Sequence, residues 1–217
     1  MNQSMVDYSF YITYVFLMTT ATITFIEAIR TPDIKIRNIL NLETCISVVA
    51  AFFYSKFVAT LENDSFNPKE INDQRYLDWS ITTPIMILVL VLAILYNSKG
   101  GALQFQSYLI MLVLNYGMLF SGYLGENGTF NKIVSNIIGF IFFIALYGYI
   151  YMKFLYKKYN FDNYMLYSIF VILWSLYGVV YFFDEITKNT AYNVLDLFSK
   201  CFVGIFFWAY FTKVFKL

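Results

Sequence analysis

One stretch near the end of the chain decides the fold. Residues 193–208 read NVLDLFSKCFVGIFFW, an apolar run with a lysine, Lys200, in its middle. The neighbouring lysines are Lys188 and Lys213, so at about 1.5 Å of rise per helical residue Lys200 is roughly 18–20 Å from either of them. Because the hydrocarbon core of a bilayer is only about 30 Å thick, the Lys200 amine is expected near its midplane, beyond reach of the headgroups.

A bare ammonium group at that depth is costly and needs a partner or a function. Insertion scales put the cost of a lysine at the centre of a membrane helix at about 2.5–3.5 kcal/mol. Asp196 lies one helical turn earlier on the same face, where its carboxylate can pair with the Lys200 amine. Two interpretations stay open: a structural buried ion pair, or a lysine that is covalently modified or otherwise functional.

The composition is that of a membrane protein. The chain has 217 residues, of which 59% are hydrophobic and 13% charged, whereas a soluble domain has about 25% charged residues. It has no histidine and only two cysteines, which argues against Ser-His-Asp chemistry, a zinc site and a disulfide framework. We therefore predict no metal site and no enzyme, and the absence of a basic block predicts no binding to nucleic acid.

Seven apolar stretches, each about 20 residues or longer, are long enough to cross a bilayer. They must be helices, because an isolated strand cannot satisfy its backbone hydrogen bonds in lipid. Lettered A to G, they are residues 8–28, 38–60, 76–97, 102–124, 133–155, 163–183 and 190–212. Short connections join them, so residues 1–217 are predicted to form one all-α, seven-transmembrane-helix bundle in the lipid bilayer.

Lysine and arginine are distributed unevenly between the connections. The A–B, C–D and E–F connections and the C-terminus carry more of them than the opposite side does, among them Arg30, Lys99, Lys153 and Lys213. By the positive-inside rule, the N-terminus is expected outside and the C-terminus in the cytoplasm.

A second acid lies inside an apolar stretch, on helix C. Residues 75–84 read RYLDWSITTP, and at about 100° per residue Arg75, Asp78 and Thr82 fall on one stripe of the helix. The economical interpretation is that Asp78 and Asp196 both face the lysine, with Arg75 balancing the second negative charge. Thr82, one turn further in, is expected to hydrogen-bond the Asp78 carboxyl.

Three motifs together resemble those of microbial (type 1) rhodopsins. Residues 75–84 resemble the helix C signature of that family, and residues 196–200 are similar to its helix G signature. Residues 174–181, WSLYGVVY, resemble the Trp-x-x-Tyr-Pro-x-x-Trp cradle of helix F, with Gly178 for the proline and Tyr181 for the second tryptophan. The resemblance runs through all seven helices, and the short loops resemble rhodopsins encoded by giant viruses of algae and protists.

The resemblance implies a cofactor and a role for each site residue. It implies that Lys200 binds all-trans retinal as a protonated Schiff base, with Asp78 and Asp196 as counterions. The residues implied to line the chromophore are Trp79, Thr83, Trp174, Tyr177 and Tyr181. On illumination the proton is expected to pass to Asp78, because the moving N–H loses the stabilisation that the carboxylate gave it.

Residue types on helices B and C indicate which ion is moved. Asp78 argues against a chloride pump, and the sodium-pump pattern is absent at Asp78 and Thr82. Val89 stands where the archaeal proton pump has the aspartate that returns the proton.

Glu43, the only acid within helix B, lies about 9 Å from the cytoplasmic edge, a depth comparable to the roughly 12 Å of Val89. We therefore predict that Glu43 replaces the missing proton donor; the alternative is a hydrated glutamate near Arg37 with no role.

The sequence predicts a light-driven outward proton pump. The alternative is a light-gated cation channel, in which Ser9, Thr13, Asn193 and Glu43 line a narrow path. Against it, algal cation channels carry several glutamates on helix B, where this chain has one. A photosensor is the third interpretation, which Val89 suits.

The expected partners are retinal, transported protons or cations, the lipid bilayer and further copies of the chain. Family members often form trimers or pentamers, and helices with aromatic faces such as Phe10, Tyr14 and Phe16 are expected to pack against other protomers.

Overall fold

The computed structural model describes residues 3–62 and 67–213, and these are almost entirely helical. The helices, in chain order, are α1 (Gln3–Arg30), α2 (Ile34–Glu62), α3 (Pro68–Asn97), α4 (Phe105–Glu126), α5 (Lys132–Ile150), the π-helix π1 (Tyr151–Leu155), α6 (Phe161–Val180), α7 (Glu185–Asp196), the π-helix π2 (Leu197–Phe202) and α8 (Val203–Phe211). The segments α5–π1 and α7–π2–α8 each form one continuous span.

Seven helical segments of the described chain are long and apolar enough to cross a membrane. The prediction of an all-α, seven-helix membrane protein is confirmed, and the chain is an integral multi-pass membrane protein.

The helix boundaries differ from the predicted ones where polar residues form helical turns. The predicted helix F reached residue 183, but α6 ends at Val180 and the chain turns through 181–183. The next helix begins at Glu185 rather than at 190, because the Asp184 carboxylate accepts a hydrogen bond from the Thr187 backbone N–H and caps it. Helix C likewise begins at Pro68 rather than at 76, since proline is well tolerated in a first helical turn.

Two compact units make up the described chain. The first comprises the described residues of Met1–Ile71 and Phe182–Leu217, and the second comprises Asn72–Tyr181. In the first unit α1 packs along α2, and the α7–π2–α8 segment packs on both. In the second unit α4 packs on α5, and α5 packs on α6.

The core of the first unit is aromatic. The Phe10 ring lies 6.0 Å from the Tyr54 ring and 5.4 Å from the Phe57 ring, and all three side chains are buried. The expectation that Phe10 faces other protomers is therefore wrong; Tyr14 is half-buried against the same core, and Phe16 is exposed. Phe10 belongs instead to the buried stripe of α1, which repeats every three to four residues as a helix facing a core requires.

In the second unit, a hydroxyl group of α4 replaces the backbone hydrogen bond that the proline within α3 cannot make. Pro84 has no N–H to donate to the carbonyl of Ser80. The Tyr116 hydroxyl on α4 donates to that Ser80 oxygen at 3.1 Å, and the Tyr108 hydroxyl donates to the Pro84 oxygen at 3.1 Å. These bonds tie α3 to α4 beside Trp79 and Thr83.

Candidate functional site

Lys200 lies in a π-helical turn. The α-helix α7 ends at Asp196, the π-helix π2 spans Leu197–Phe202, and α8 continues from Val203. π-Helical turns are rare and occur frequently at functional sites, where the inserted residue reorients the side chains around it. The backbone therefore departs from α-helical geometry at the residue that the sequence singled out.

The predicted pairing of Lys200 with Asp196 is present in the first unit. The Lys200 Nζ atom lies 3.5 Å from Asp196 Oδ2, and both side chains are buried. The Tyr54 hydroxyl donates to the same Asp196 oxygen at 2.9 Å. The Tyr54 hydroxyl therefore fixes the orientation of the Asp196 carboxyl group beside the Lys200 amine.

Polar residues of three helices extend this network. The Tyr54 hydroxyl also lies 3.1 Å from Asn193 Oδ1, and Asn193 Nδ2 donates to Ser9 Oγ at 2.8 Å. Thr13 Oγ1 donates to the backbone oxygen of Asn193 at 3.1 Å. The structure thus brings together Ser9, Thr13 and Asn193, three of the four residues expected along a narrow polar path.

Glu43 lies in a different environment of the same unit. Its side chain is buried, with 2% of the residue exposed. Among residues 3–62 and 67–213 no hydrogen bond or ion pair holds its carboxyl. The Arg37 guanidinium donates instead to the backbone oxygen of Thr31 at 3.0 and 2.9 Å. Burial of the carboxyl does not fit a hydrated glutamate at the membrane edge.

Asp78 and Thr82 meet on α3 in the second unit. Asp78 and Arg75 are both buried. The Thr82 hydroxyl donates to the backbone oxygen of Asp78 at 2.9 Å. The expected bond to the Asp78 carboxyl is therefore wrong, because a threonine in a helix readily donates to the carbonyl four residues earlier.

Aromatic rings of α3 and α6 come together in the second unit. Trp79 and Tyr177 meet edge to face at 5.3 Å and 87°, and Trp174 meets Tyr147 at 5.9 Å and 84°. Edge-to-face contacts are the favoured geometry of aromatic pairs. Tyr147 on α5 belongs to this group although the sequence did not point to it.

Thr83 is held by a residue that the sequence did not identify. The Thr83 hydroxyl donates to the Trp79 backbone oxygen at 2.7 Å and accepts from Asn115 Nδ2 at 2.9 Å. Asn115 is fully buried on α4. An amide inside an apolar span is itself a signal, because polar side chains at membrane depth find partners.

Gly178 and Tyr181, the two departures from the family pattern, have local explanations. A Cβ atom on Gly178 would lie 2.6 Å from the Phe140 ring, so this ring fills the space that a larger residue would need. Tyr181 follows the last residue of α6, and its hydroxyl donates to the Gly122 backbone oxygen at 2.9 Å. Both residues join α6 to its neighbours in the second unit.

The first unit has the chemistry to hold an aldehyde cofactor. A primary amine forms an imine with a carbonyl compound. Lys200 is such an amine, and Asp196 lies beside it to balance a cationic imine.

The chain is similar to known proteins of one family. A family model described as bacteriorhodopsin-like protein matches residues 5–214. The crystal structure of viral rhodopsin OLPVRII is similar at 53% identity and a TM-score of 0.92, over 97% of this chain and 99% of that chain. No curated protein sequence matches this chain.

More distant structures share the fold. A blue light-absorbing proteorhodopsin from Med12 is 24% identical, with a TM-score of 0.76 over 96% of each chain. A proton-pumping rhodopsin from the marine alga Acetabularia acetabulum is 18% identical, with a TM-score of 0.78 over 100% of this chain and 99% of that chain.

Proposed function

Because the chain belongs to the bacteriorhodopsin-like family of microbial rhodopsins, we propose that it is a light-driven ion transporter that pumps protons outward. Proteins of this family bind retinal and are light-driven transporters or sensors rather than enzymes. The observation that carries the proposal is the buried Lys200–Asp196 pair within a π-helical turn.

We assign Lys200 as the residue that holds all-trans retinal. When bound to Lys200, retinal would supply light absorption and an isomerisation that moves the N–H bond of the Lys200 nitrogen. Trp79, Thr83, Trp174, Tyr177 and Tyr181 are assigned to the chromophore pocket on the strength of the helix C and helix F signatures.

Each acid has one task in the proposed proton route. Asp196, fixed by Tyr54, stabilises the positive charge on the Lys200 nitrogen in the dark. Asp78 accepts the proton from that nitrogen after illumination, as the helix C signature implies, and Arg75 balances its charge beforehand. Glu43 then returns a proton to the nitrogen from the cytoplasmic side, the role that an aspartate at position 89 would otherwise fill.

The interior of the first unit favours a pump over a channel. The polar cluster of Ser9, Thr13 and Asn193 ends at Asp196 and Lys200, whereas Glu43 lies nearer the other end of α2. In the stretches of α1 and α2 between the two, Leu17, Ala50 and Ala51 are buried and apolar, and Ser47 is the buried polar side chain of α2 there. A hydrated cation needs a continuous polar path, while a proton needs only brief hydrogen-bonded connections.

The polar cluster is also what favours the second candidate function, a light-gated cation channel. The side chains of Ser9, Asn193 and Tyr54 form a continuous hydrogen-bonded series, and the Thr13 hydroxyl donates to the backbone oxygen of Asn193. A channel would require water to bridge the apolar stretch to Glu43 in the illuminated state.

Voltage-clamp recording under light, with ion gradients varied, tests the proposed function. A pump gives current that stays outward against moderate voltage and does not follow the cation gradients. Current that reverses at the equilibrium potential of a cation identifies the channel, and light absorption without stationary current identifies a photosensor.

We also propose an orientation in the membrane and an oligomeric state. The N-terminus is outside and the C-terminus in the cytoplasm, which protease access to tags at the two ends would test. The chain assembles as a homo-oligomer, a trimer or pentamer, for which native mass spectrometry is the test.

A further inference from the structure

Lys188 places a positive charge inside the first unit. It is the fourth residue of α7, and its side chain is completely buried. Its Nζ atom lies 2.7 Å from Oε1 of Glu185, whose side chain is 41% exposed. The pair therefore runs from the surface of the unit into its interior, with the amine at the inner end. Because solvent screens the exposed carboxylate more than the buried amine, the interior near Lys188 is positive.

Lys188 lies just beyond the polar cluster of α1 and α7, toward the predicted outer end of the unit. Asn193, the α7 member of that cluster, follows Lys188 by five residues, about 7.5 Å along the helix axis. Val6 and Val58 lie one turn beyond the hydrogen-bonded side chains of α1 and α2, and both are buried. At this level α1 and α2 thus provide apolar groups, while α7 provides Lys188 and the buried Asn189.

The polar cluster has no step in the proposed proton route, which uses Lys200, Asp78 and Glu43. It nevertheless connects to Asp196, because the Tyr54 hydroxyl bonds both to the cluster and to that carboxylate. Oxygen atoms of this kind replace the hydration shell of the ion in cation channels, and acidic side chains attract the ion there. A pump that contains such a cluster needs a means of keeping metal cations out of it.

We propose that Lys188 is a selectivity residue, whose buried charge keeps sodium and other monovalent metal cations out of the polar cluster. Fixed positive charges exclude cations from membrane pores in this way. A unit charge about 8 Å away, at an effective dielectric constant of about 20, lowers the occupancy of a cation roughly tenfold or more. This inference rests on the proposed pump and adds the group that separates it from a cation channel.

Lys188→Met tests the barrier by removing the charge while keeping an unbranched side chain. Under voltage clamp and light, this variant should carry sodium current in addition to the pump current, so that the reversal potential moves toward that of sodium. Lys188→Arg keeps a permanent charge and should behave as the wild type. The matched control is Lys56→Met on α2, which should also behave as the wild type. The Lys56 side chain is exposed, with its amine 4.5 Å from the centre of the Phe52 ring.

A measurement in the dark tests the barrier without any current. A sodium ion that reaches the polar cluster weakens the attraction between the Asp196 carboxylate and the Lys200 nitrogen, and so shifts the visible absorption of the retinal-bound protein. Sodium chloride should therefore shift the absorption of Lys188→Met and leave the wild type and Lys188→Arg unchanged. N-methylglucamine chloride at equal ionic strength is the reference, because its cation is too large for the cluster.

Ser9→Ala tests whether the admitted cation uses the polar cluster. The Ser9 hydroxyl accepts a hydrogen bond from Asn193 Nδ2 at 2.8 Å, and its removal interrupts the series of oxygen atoms. Combined with Lys188→Met, Ser9→Ala should reduce the sodium current and the spectral shift several-fold. An undiminished current would show that the cation passes elsewhere and that Lys188 does not protect this cluster.

The outcomes separate the barrier from the pump. Wild-type current that reverses at the sodium equilibrium potential refutes both proposals. If the wild type pumps and Lys188→Met shows neither sodium current nor a spectral shift, the pump stands and the barrier is refuted. If Lys188→Met does not fold, the wild type decides. A sodium-dependent shift of its absorption shows that cations pass Lys188 and refutes the barrier, and an unchanged absorption supports it.

Discussion

Two acids of the first unit, Asp196 and Glu43, are equally buried and differently held. Asp196 accepts a hydrogen bond from Tyr54 at 2.9 Å and lies 3.5 Å from the Lys200 amine. Within residues 3–62 and 67–213, no hydrogen bond or ion pair holds the Glu43 carboxyl. The difference corresponds to the two tasks proposed for these acids.

A carboxylate that must stay charged at membrane depth needs fixed donors, because desolvation otherwise favours its neutral form. A carboxyl that donates and regains a proton needs neighbouring groups whose hydrogen bonds can rearrange. The network around Asp196 is the first kind of environment. Glu43, whose carboxyl has no hydrogen bond or ion pair within the described chain, is in the second.

The largest effect is expected from Lys200→Ala. Without the amine no covalent attachment of retinal is possible, so purified protein supplied with retinal should stay colourless in visible absorption. The control is Lys188→Met on the same span, since Lys188 is just as buried but is paired with Glu185 at 2.7 Å. A coloured Lys200→Ala protein would contradict the attachment of retinal to Lys200 and with it the proposed function.

The second prediction compares the two acids directly. Asp196→Asn leaves the Lys200 charge buried beside a neutral partner, which costs about 3–5 kcal/mol when a buried pair is broken. The thermal midpoint of colour loss should therefore fall markedly. Glu43→Gln should leave that midpoint unchanged or raise it, because within the described chain the Glu43 carboxyl has no ion pair to lose. Equal losses in the two variants would contradict the distinction between the two environments.

The sequence predicted what single positions and spacings determine. A lysine at mid-membrane with an aspartate one turn earlier required a partner, and the Lys200–Asp196 pair follows from that requirement. The seven spans followed from apolar length. The number of helices and the nature of the key residue were accessible because a bilayer excludes most other arrangements.

What the sequence could not provide depends on contacts between distant residues. Tyr54 and Asn115 carry no motif, and only packing brings them to Asp196 and Thr83. The π-helical turn at Lys200 has no signature in residue type. The prediction that Phe10 faces other protomers was wrong because lipid-facing and core-facing positions of a membrane helix are both apolar. Hydrophobicity therefore does not distinguish them.

Tyr54→Phe gives the third prediction. It removes the hydroxyl that donates to Asp196 while keeping the ring packed against Phe10 and Phe57. Loss of a hydrogen bond to a charged group costs about 1.5–3 kcal/mol, so the thermal midpoint should fall, but less than in Asp196→Asn. The matched variant Tyr14→Phe lies at the edge of the same core and should leave the midpoint near the wild-type value. If Tyr54→Phe is as stable as Tyr14→Phe, the Tyr54 bond does not hold Asp196.

The smallest effect is expected at Asp184, an acid that is held by hydrogen bonds like Asp196 but is exposed to solvent. The Thr187 hydroxyl and backbone N–H donate to its carboxylate and lower its pKa below the ordinary value of 3.8. A carboxyl whose pKa is lower in the folded state contributes stability above its unfolded pKa. That contribution is lost as the pH falls through the folded pKa.

The thermal midpoint of the wild type should therefore decline below about pH 4 more steeply than that of Asp184→Asn, which caps α7 without titrating. At neutral pH the two midpoints should agree closely. Solvent screening keeps the difference small. Parallel curves from neutral pH to pH 3 would show that the hydrogen bonds from Thr187 do not favour the charged form of Asp184.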